Sequence, residues 1–250
     1  MKNYHWKRAR TYLFTIFALA FATLSDPPPA SAQLRLGNLR NNNRTVFALA
    51  PREATRPLKI AEKAIEDGDF QQATTLLGDL LADTMLNEYL VADPDRAGLA
   101  ISLRQKAEEL LGKVPLDQRG TYEEKYGVKA RVMLQKAIEA NDTQAIAMTS
   151  RLFFHTRAGL EATMLVGHSN LADGRPVMAA VAFEKVASEP EGRKRFDPEA
   201  SLLAAVCWSL NGSNDRSEEL LLALWANQGN AKVRFYGKSV ALFDLSLIHI

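Results

Sequence analysis

Residues 151–190, RLFFHTRAGLEATMLVGHSNLADGRPVMAAVAFEKVASEP, carry the spacing that decides the fold. Gly167, Ala179 and Phe183 stand twelve and then four residues apart. Small, small and aromatic residues at those steps describe one pair of helices, with the large residue at the position between them. Gly174 follows the first helix, where a residue without a β-carbon ends it at least cost. Pro176 takes an early position of the second, where a missing N–H is harmless. Pro190 then falls near the close of the unit.

Working outward, the same grammar recurs. Upstream, apolar residues at helical period from Arg56 give way at Asp67-Gly68-Asp69, where Gly68 can end one helix and Asp69 can cap the next. Ala73 and Leu77 then repeat the four-residue step of Ala179 and Phe183. Downstream, Pro198–Leu210 and Asp215–Asn227 are apolar on one face and separated by Asn211-Gly212-Ser213-Asn214, with Ser217 and Leu221 at the matching step. Taking Ala73, Ala145, Ala179 and Ser217 as equivalent gives intervals of 72, 34 and 38 residues. A period of about 34 is that of tetratricopeptide repeats. The expected fold is all-α: a tetratricopeptide-like right-handed superhelix of antiparallel helix pairs over residues 55–229, with a short β-prone segment after it.

The long first interval leaves room for one degenerate pair between Thr84 and Gly127. There the pattern predicts a helix from about Arg96 with Leu99, Ile101, Leu103, Ala107, Leu110 and Leu111 on one face, stopped by Gly112 and Pro115. A short helix over Leu116–Tyr126 should end at Gly127, followed by helices over Val128–Ala140 and Thr143–His155.

The flanks differ in character. Residues 1–32 combine a basic start, an apolar run from Tyr12 to Leu24 and Ala30-Ser31-Ala32, the plan of a secretory signal peptide cleaved before Gln33. Retention as an inner-membrane signal anchor is the alternative. Residues 33–54 have no sustained period and are expected to be a flexible linker. In residues 230–244, β-branched and aromatic residues alternate, as at the start of a β domain. The final Leu-Ser-Leu-Ile-His-Ile, residues 245–250, resembles a translated transposon-type sequencing adapter, which suggests that the natural reading frame is interrupted near Asp244.

Charge and composition narrow the chemistry. The formal charge of +2 is a property of the leader, because removing residues 1–32 leaves 27 basic and 28 acidic side chains. No concentrated basic run remains of the kind that neutralises nucleic-acid phosphates. The single cysteine, Cys207, lies in the apolar run LLAAVCWSL and reads as buried and inert. His155 is expected to close a helix and His168 to follow the close-packed Gly167; their spacing matches no metal-ligand pattern. Glu108-Glu109, Glu123-Glu124 and Glu218-Glu219 read as solvated helix faces. With no nucleophile motif or phosphate loop, neither catalytic nor cofactor-binding nor metal-binding residues are expected in this chain. The remaining candidate is the concave face of the stack, for which Asn141, Arg151, Asn170 and Arg175 are polar candidates to contact a protein or peptide.

Tyr122 through Gly127, Phe153-Phe154-His155-Thr156, Ala158-Gly159, Glu161-Ala162, Gly167 and Asp173-Gly174-Arg175-Pro176 together carry a family resemblance. The stretch from about Ala54 to Asp244 resembles the helical N-terminal region of bacterial secreted PQQ-binding-like β-propeller repeat proteins. Their propeller is similar to that of an outer-membrane assembly lipoprotein. The resemblance implies a non-catalytic scaffold or interaction module at the front of a larger exported, periplasmic or envelope protein, whose own propeller would be its neighbour. Two alternatives are the supporting domain of a quinone-dependent dehydrogenase and a free-standing periplasmic helical adaptor.

Overall fold

The computed structural model describes residues 49–85, 89–93, 99–228, 232–235 and 238–241. The expected signal peptide, most of the linker and the adapter-like end therefore lie outside the described residues. Among those described, ten helices and two small antiparallel hairpins occur, so the chain is all-α. The helices are α1 (Arg52–Glu66), α2 (Phe70–Ala82), α3 (Leu103–Lys113), α4 (residues 120–139), α5 (Thr143–Leu152), α6 (Arg157–Ala172), α7 (Pro176–Ser188), α8 (Pro190–Phe196), α9 (Glu199–Leu210) and α10 (Asn214–Gln228).

Four of the inter-helix turns are the same object. In each, a residue with positive φ follows the helix: Gly68 (78°), Asn141 (50°), Gly174 (72°) and Gly212 (80°). The next residue's N–H reaches back five positions, Asp69 to Ala64, Asp142 to Ala137, Arg175 to Asn170 and Ser213 to Trp208. The positive-φ residue itself donates three positions back, to Ile65, Ile138, Leu171 and Ser209. This is the Schellman arrangement, which satisfies carbonyls that a helix end would otherwise leave open. Asp69 and Asp142 then cap the following helix by accepting from Gln72 N and from Gln144 N and Ala145 N. The turns fall 73, 33 and 38 residues apart, and they define four pairs: α1–α2, α4–α5, α6–α7 and α9–α10. The interval of 38 is lengthened by α8, a two-turn helix inserted between the last two pairs.

The stretch between the first two pairs departs from the expected degenerate pair. Residues 90–92 and 100–102 form an antiparallel hairpin, β1 (Leu90–Ala92) and β2 (Ala100–Ser102), with Val91 opposite Ile101. Consequently α3 starts at Leu103 rather than Arg96, capped by Ser102, whose Oγ accepts from Gln105 N. Ile101 is paired in β2 and Leu99, just before that strand, is exposed, so neither belongs to the face of α3. Gly127 does not stop a helix either. It has right-handed helical φ and ψ and lies in a π-helical segment, Glu123–Gly127, inside the continuous α4. A β-carbon on Gly127 would stand 2.5 Å from the Glu123 carboxylate, which folds over it to accept from Arg157 N (3.0 Å) at the start of α6. The glycine thus makes room for a side chain that caps another helix.

Arg52–Ala54, assigned to the linker from sequence, already belong to α1, while Leu49 forms a parallel bridge to Leu90. At the other end, β3 (Lys232–Phe235) and β4 (Lys238–Ala241) pair antiparallel where alternation predicted strand.

Two apolar cores meet at α6. Ala158 and Ala162 face the core built by α1 to α5, whereas Leu160 and Met164 face the core shared by α7 and α9. Burial tests the repeat register. Ala73, Leu77, Ala179 and Phe183 are fully buried, and Gly167 is packed so tightly on Phe183 that a β-carbon would meet its ring at 2.5 Å. Ser217 is buried as well. Ala145 and Leu221 are only half-buried. The ten-residue α5 buries its C-terminal part, Thr149 and Leu152, where it meets α6. In α10, which packs on α9, the buried apolar residue is Leu224 instead.

Candidate functional site

The turn between α5 and α6 is built from Phe153-Phe154-His155-Thr156. Thr156 Oγ1 donates to the Phe153 carbonyl (2.8 Å) and accepts from Gly159 N (3.0 Å), capping α6. A β-carbon on Gly159 would lie 1.7 Å from the Phe153 carbonyl oxygen, so only glycine lets the turn close this tightly. The outcome is a division of labour: Phe153 enters the first core and Phe154 the second. His155, expected to finish a helix, instead lies three residues past the end of α5 with its side chain buried.

His155 is one corner of a buried polar cluster. Its Nδ1 stands 3.4 Å from a carboxylate oxygen of Glu189, at the end of α7, and its ring packs edge-on against Phe154 at 5.0 Å. The other Glu189 oxygen accepts from Arg119 at 2.5 Å, and both members of that pair have less than a tenth of their side-chain surface exposed. Arg119 also donates to the carbonyls of Val114 and Gly112, each at 2.8 Å. Burial pushes the Glu189 carboxyl up, but His155 and Arg119 together outweigh it and hold it below the usual carboxylate range. The cluster ties α7 to the α5–α6 turn and to the segment between α3 and α4.

Beside it runs an open groove of about 560 Å³, lined by Phe154, Val181, Glu184, Lys185, Ser188, Glu189 and Trp208. Its charged groups are committed to partners. Lys185 Nζ sits 4.1 Å over the Phe154 ring and 2.9 Å from Glu108 of α3. Glu184 accepts from Trp208 Nε1 (2.8 Å) and from Arg216 of α10. Val181 is half exposed on the groove floor. The apolar lining open to solvent is therefore Val181 with the half-buried Trp208, over a Phe154 ring that is itself buried, held between paired charges.

The four polar residues expected on a concave face have different local settings. Asn141 is exposed in the α4–α5 turn, holding its positive φ. Arg151 lies at the opposite end of α5, about 15 Å along the helix axis. Its side chain is exposed while its carbonyl accepts from Arg104. Arg175 is exposed in the α6–α7 turn and pairs with the neighbouring Asp173. Asn170 is buried, its Nδ2 donating to the Val166 carbonyl at 2.9 Å, so it serves helix α6 rather than a ligand.

Other residues singled out from sequence find packing roles. His168 stacks edge-on against Phe183 at 5.1 Å, with Glu199 3.8 Å away. Cys207 is fully buried, and burial pushes its thiol up. Of the carboxylate pairs read as solvated, Glu108, Glu123 and Glu219 are engaged: Glu108 takes Arg104 (3.1 Å) and Lys185, Glu123 accepts from Arg157 N, and Glu219 takes Arg216 (2.5 Å). Among the described residues no three His, Cys, Asp or Glu side chains come together to hold a metal ion. Sequence reasoning missed Arg119, Glu189 and Trp208; Trp208 at least was visible as an indole in an otherwise apolar run.

Comparison with family models, with curated proteins and with solved structures gave no match in any of the three.

Proposed function

We propose that this chain is a non-catalytic helical-repeat scaffold whose groove along α7 receives a segment of another protein or domain. The observation that carries the reading is the groove itself: an apolar strip of Val181 and Trp208 over the buried Phe154 ring, flanked by side chains already paired to their own fold. Such a lining binds by shape and burial without having to break ion pairs first. Four helix pairs joined by identical turns support a regular stack, and a stack of that kind winds into a right-handed superhelix with extended concave surfaces. The hairpin at β3 and β4 supports a β domain as the next neighbour, in keeping with the N-terminal region of an exported β-propeller protein.

A photo-crosslinking residue placed at Val181 tests the reading in the exporting cell. One dominant adduct, either to a β domain of the same polypeptide or to one envelope protein, is the expected result. Adducts no more frequent than those from an exposed control at Glu139 would refute it. Export is tested separately by intact mass: processing before Gln33 is expected, and a secreted species retaining residues 1–32 would contradict it. No helix among the described residues is long and apolar enough to cross a membrane.

A further inference from the structure

Helix α1 carries a second surface, sharing no residue with the α7 groove. Arg52, Arg56, Lys59 and Lys63 recur at steps of four, three and four, which places all four on one helical stripe. All are exposed. The opposite stripe, Ala54, Leu58, Ala61 and Ala64, is buried in the core. None of the four cations is in an ion pair among the described residues. They border an open groove of about 770 Å³ between α1 and the start of α2. Asp67 and Asp69 close its far end, Asp69 being occupied as the cap of α2.

From this geometry we infer that the α1 groove docks an acidic amphipathic helix of another polypeptide. The cations rise along the axis by about 6, 4.5 and 6 Å, spread over about 16 Å. Carboxylates at i, i+4, i+7 and i+11 of a facing helix repeat those steps, whereas alternate residues of a strand are about 6.6 Å apart and drift out of register. Concavity and the lack of a large exposed apolar face disfavour a bilayer: Ile60, 39% exposed, is the one apolar side chain of consequence there. Nor can the preceding segment of this chain neutralise the stripe, because residues 1–48 contain a single acid, Asp26. Asp67 and Asp69 would repel a carboxylate at the far end, so the partner helix should carry a neutral or basic residue there and bind in one direction.

The test is fluorescence anisotropy with the full chain and a synthetic peptide of about 16 residues carrying Glu at steps of four, three and four. A control peptide has the same composition with its Glu residues scattered around the helix. Binding of the patterned peptide should weaken as salt rises, because the contact is between exposed charges. It should fall on the order of tenfold in Arg56→Glu/Lys59→Glu. Both residues are exposed, so the melting curve should be unchanged; if it is not, Arg56→Gln/Lys59→Gln replaces the reversal and should weaken binding in the same direction. Equal binding of the scattered peptide, no binding at low salt, or tighter binding to anionic phosphatidylglycerol vesicles or duplex DNA would each overturn the inference.

Discussion

Replacing Glu189 by Ala would leave the Arg119 guanidinium buried against two backbone carbonyls with no counter-charge, and His155 Nδ1 without its nearest acceptor. Removing one partner of a buried, hydrogen-bonded pair costs about 3–5 kcal/mol, since the survivor keeps its desolvation penalty. For a unit of this size that lowers the melting temperature by about 6–20 °C. Exchanging both partners for apolar residues, Arg119→Met/Glu189→Leu, removes the stranded charge and should cost clearly less than the single change. A pH series adds an independent readout. Because the native carboxyl titrates below its unfolded value of 4.5, its contribution is present above that pH and disappears as pH falls through the lowered native value. The wild type should therefore lose stability below about pH 4.5 more steeply than the double variant. Urea denaturation at several pH values measures both effects. A Glu189→Ala cost under about 1 kcal/mol would show that water reaches the pair, and the argument for a desolvated cluster would fail.

Phe183→Ala should cost about 3–5 kcal/mol, because it empties a fully buried space against Gly167; an unchanged denaturation midpoint would break the repeat register. Gly174→Ala meets no atom within 4 Å but must adopt a φ of 72°, so a loss of about 1–2 kcal/mol is expected from the backbone alone. Asn141→Gly in the equivalent turn should be neutral or slightly stabilising, and a matching loss there would deny the equivalence of the two turns. Cys207 should react with a thiol reagent only after denaturation; rapid labelling of the native chain would contradict its burial.

What was legible in the sequence was local. Gly68-Asp69, Asn141-Asp142 and Gly174 to Pro176 announce their turns because the chemistry of stopping one helix and capping the next is contained in a few consecutive residues. The small-small-aromatic spacing marked Gly167, Ala179 and Phe183 as packing positions for the same reason of fixed helical geometry, and the structure sets Gly167 against the Phe183 ring. Misreadings arose where one residue type serves two purposes. Gly127 looked like a terminator, yet it is a helical glycine kept small for Glu123. Leu99 and Ile101 fit a helical face as well as an extended one, and pairing of Val91 with Ile101 decided between them through residues ten positions away.

The candidate site was illegible for a different reason: its contacts are long-range. Arg119 and Glu189 are 70 residues apart, Glu108 and Lys185 are 77, and Glu184 and Arg216 are 32. No local pattern can signal such pairs, since nothing in the sequence around one charge marks which distant charge it will meet. Yet all three converge on α7, fixing it to α3, the α3–α4 segment and α10 in addition to its apolar packing on α6 and α9. A helix held from so many directions has little freedom to rotate when a ligand enters beside it. On the reading proposed above, ordering the groove at Val181 on binding should therefore demand little conformational entropy. If the groove receives a partner segment as proposed, the ordering of that segment, and not a movement of α7, should then be the main entropic cost.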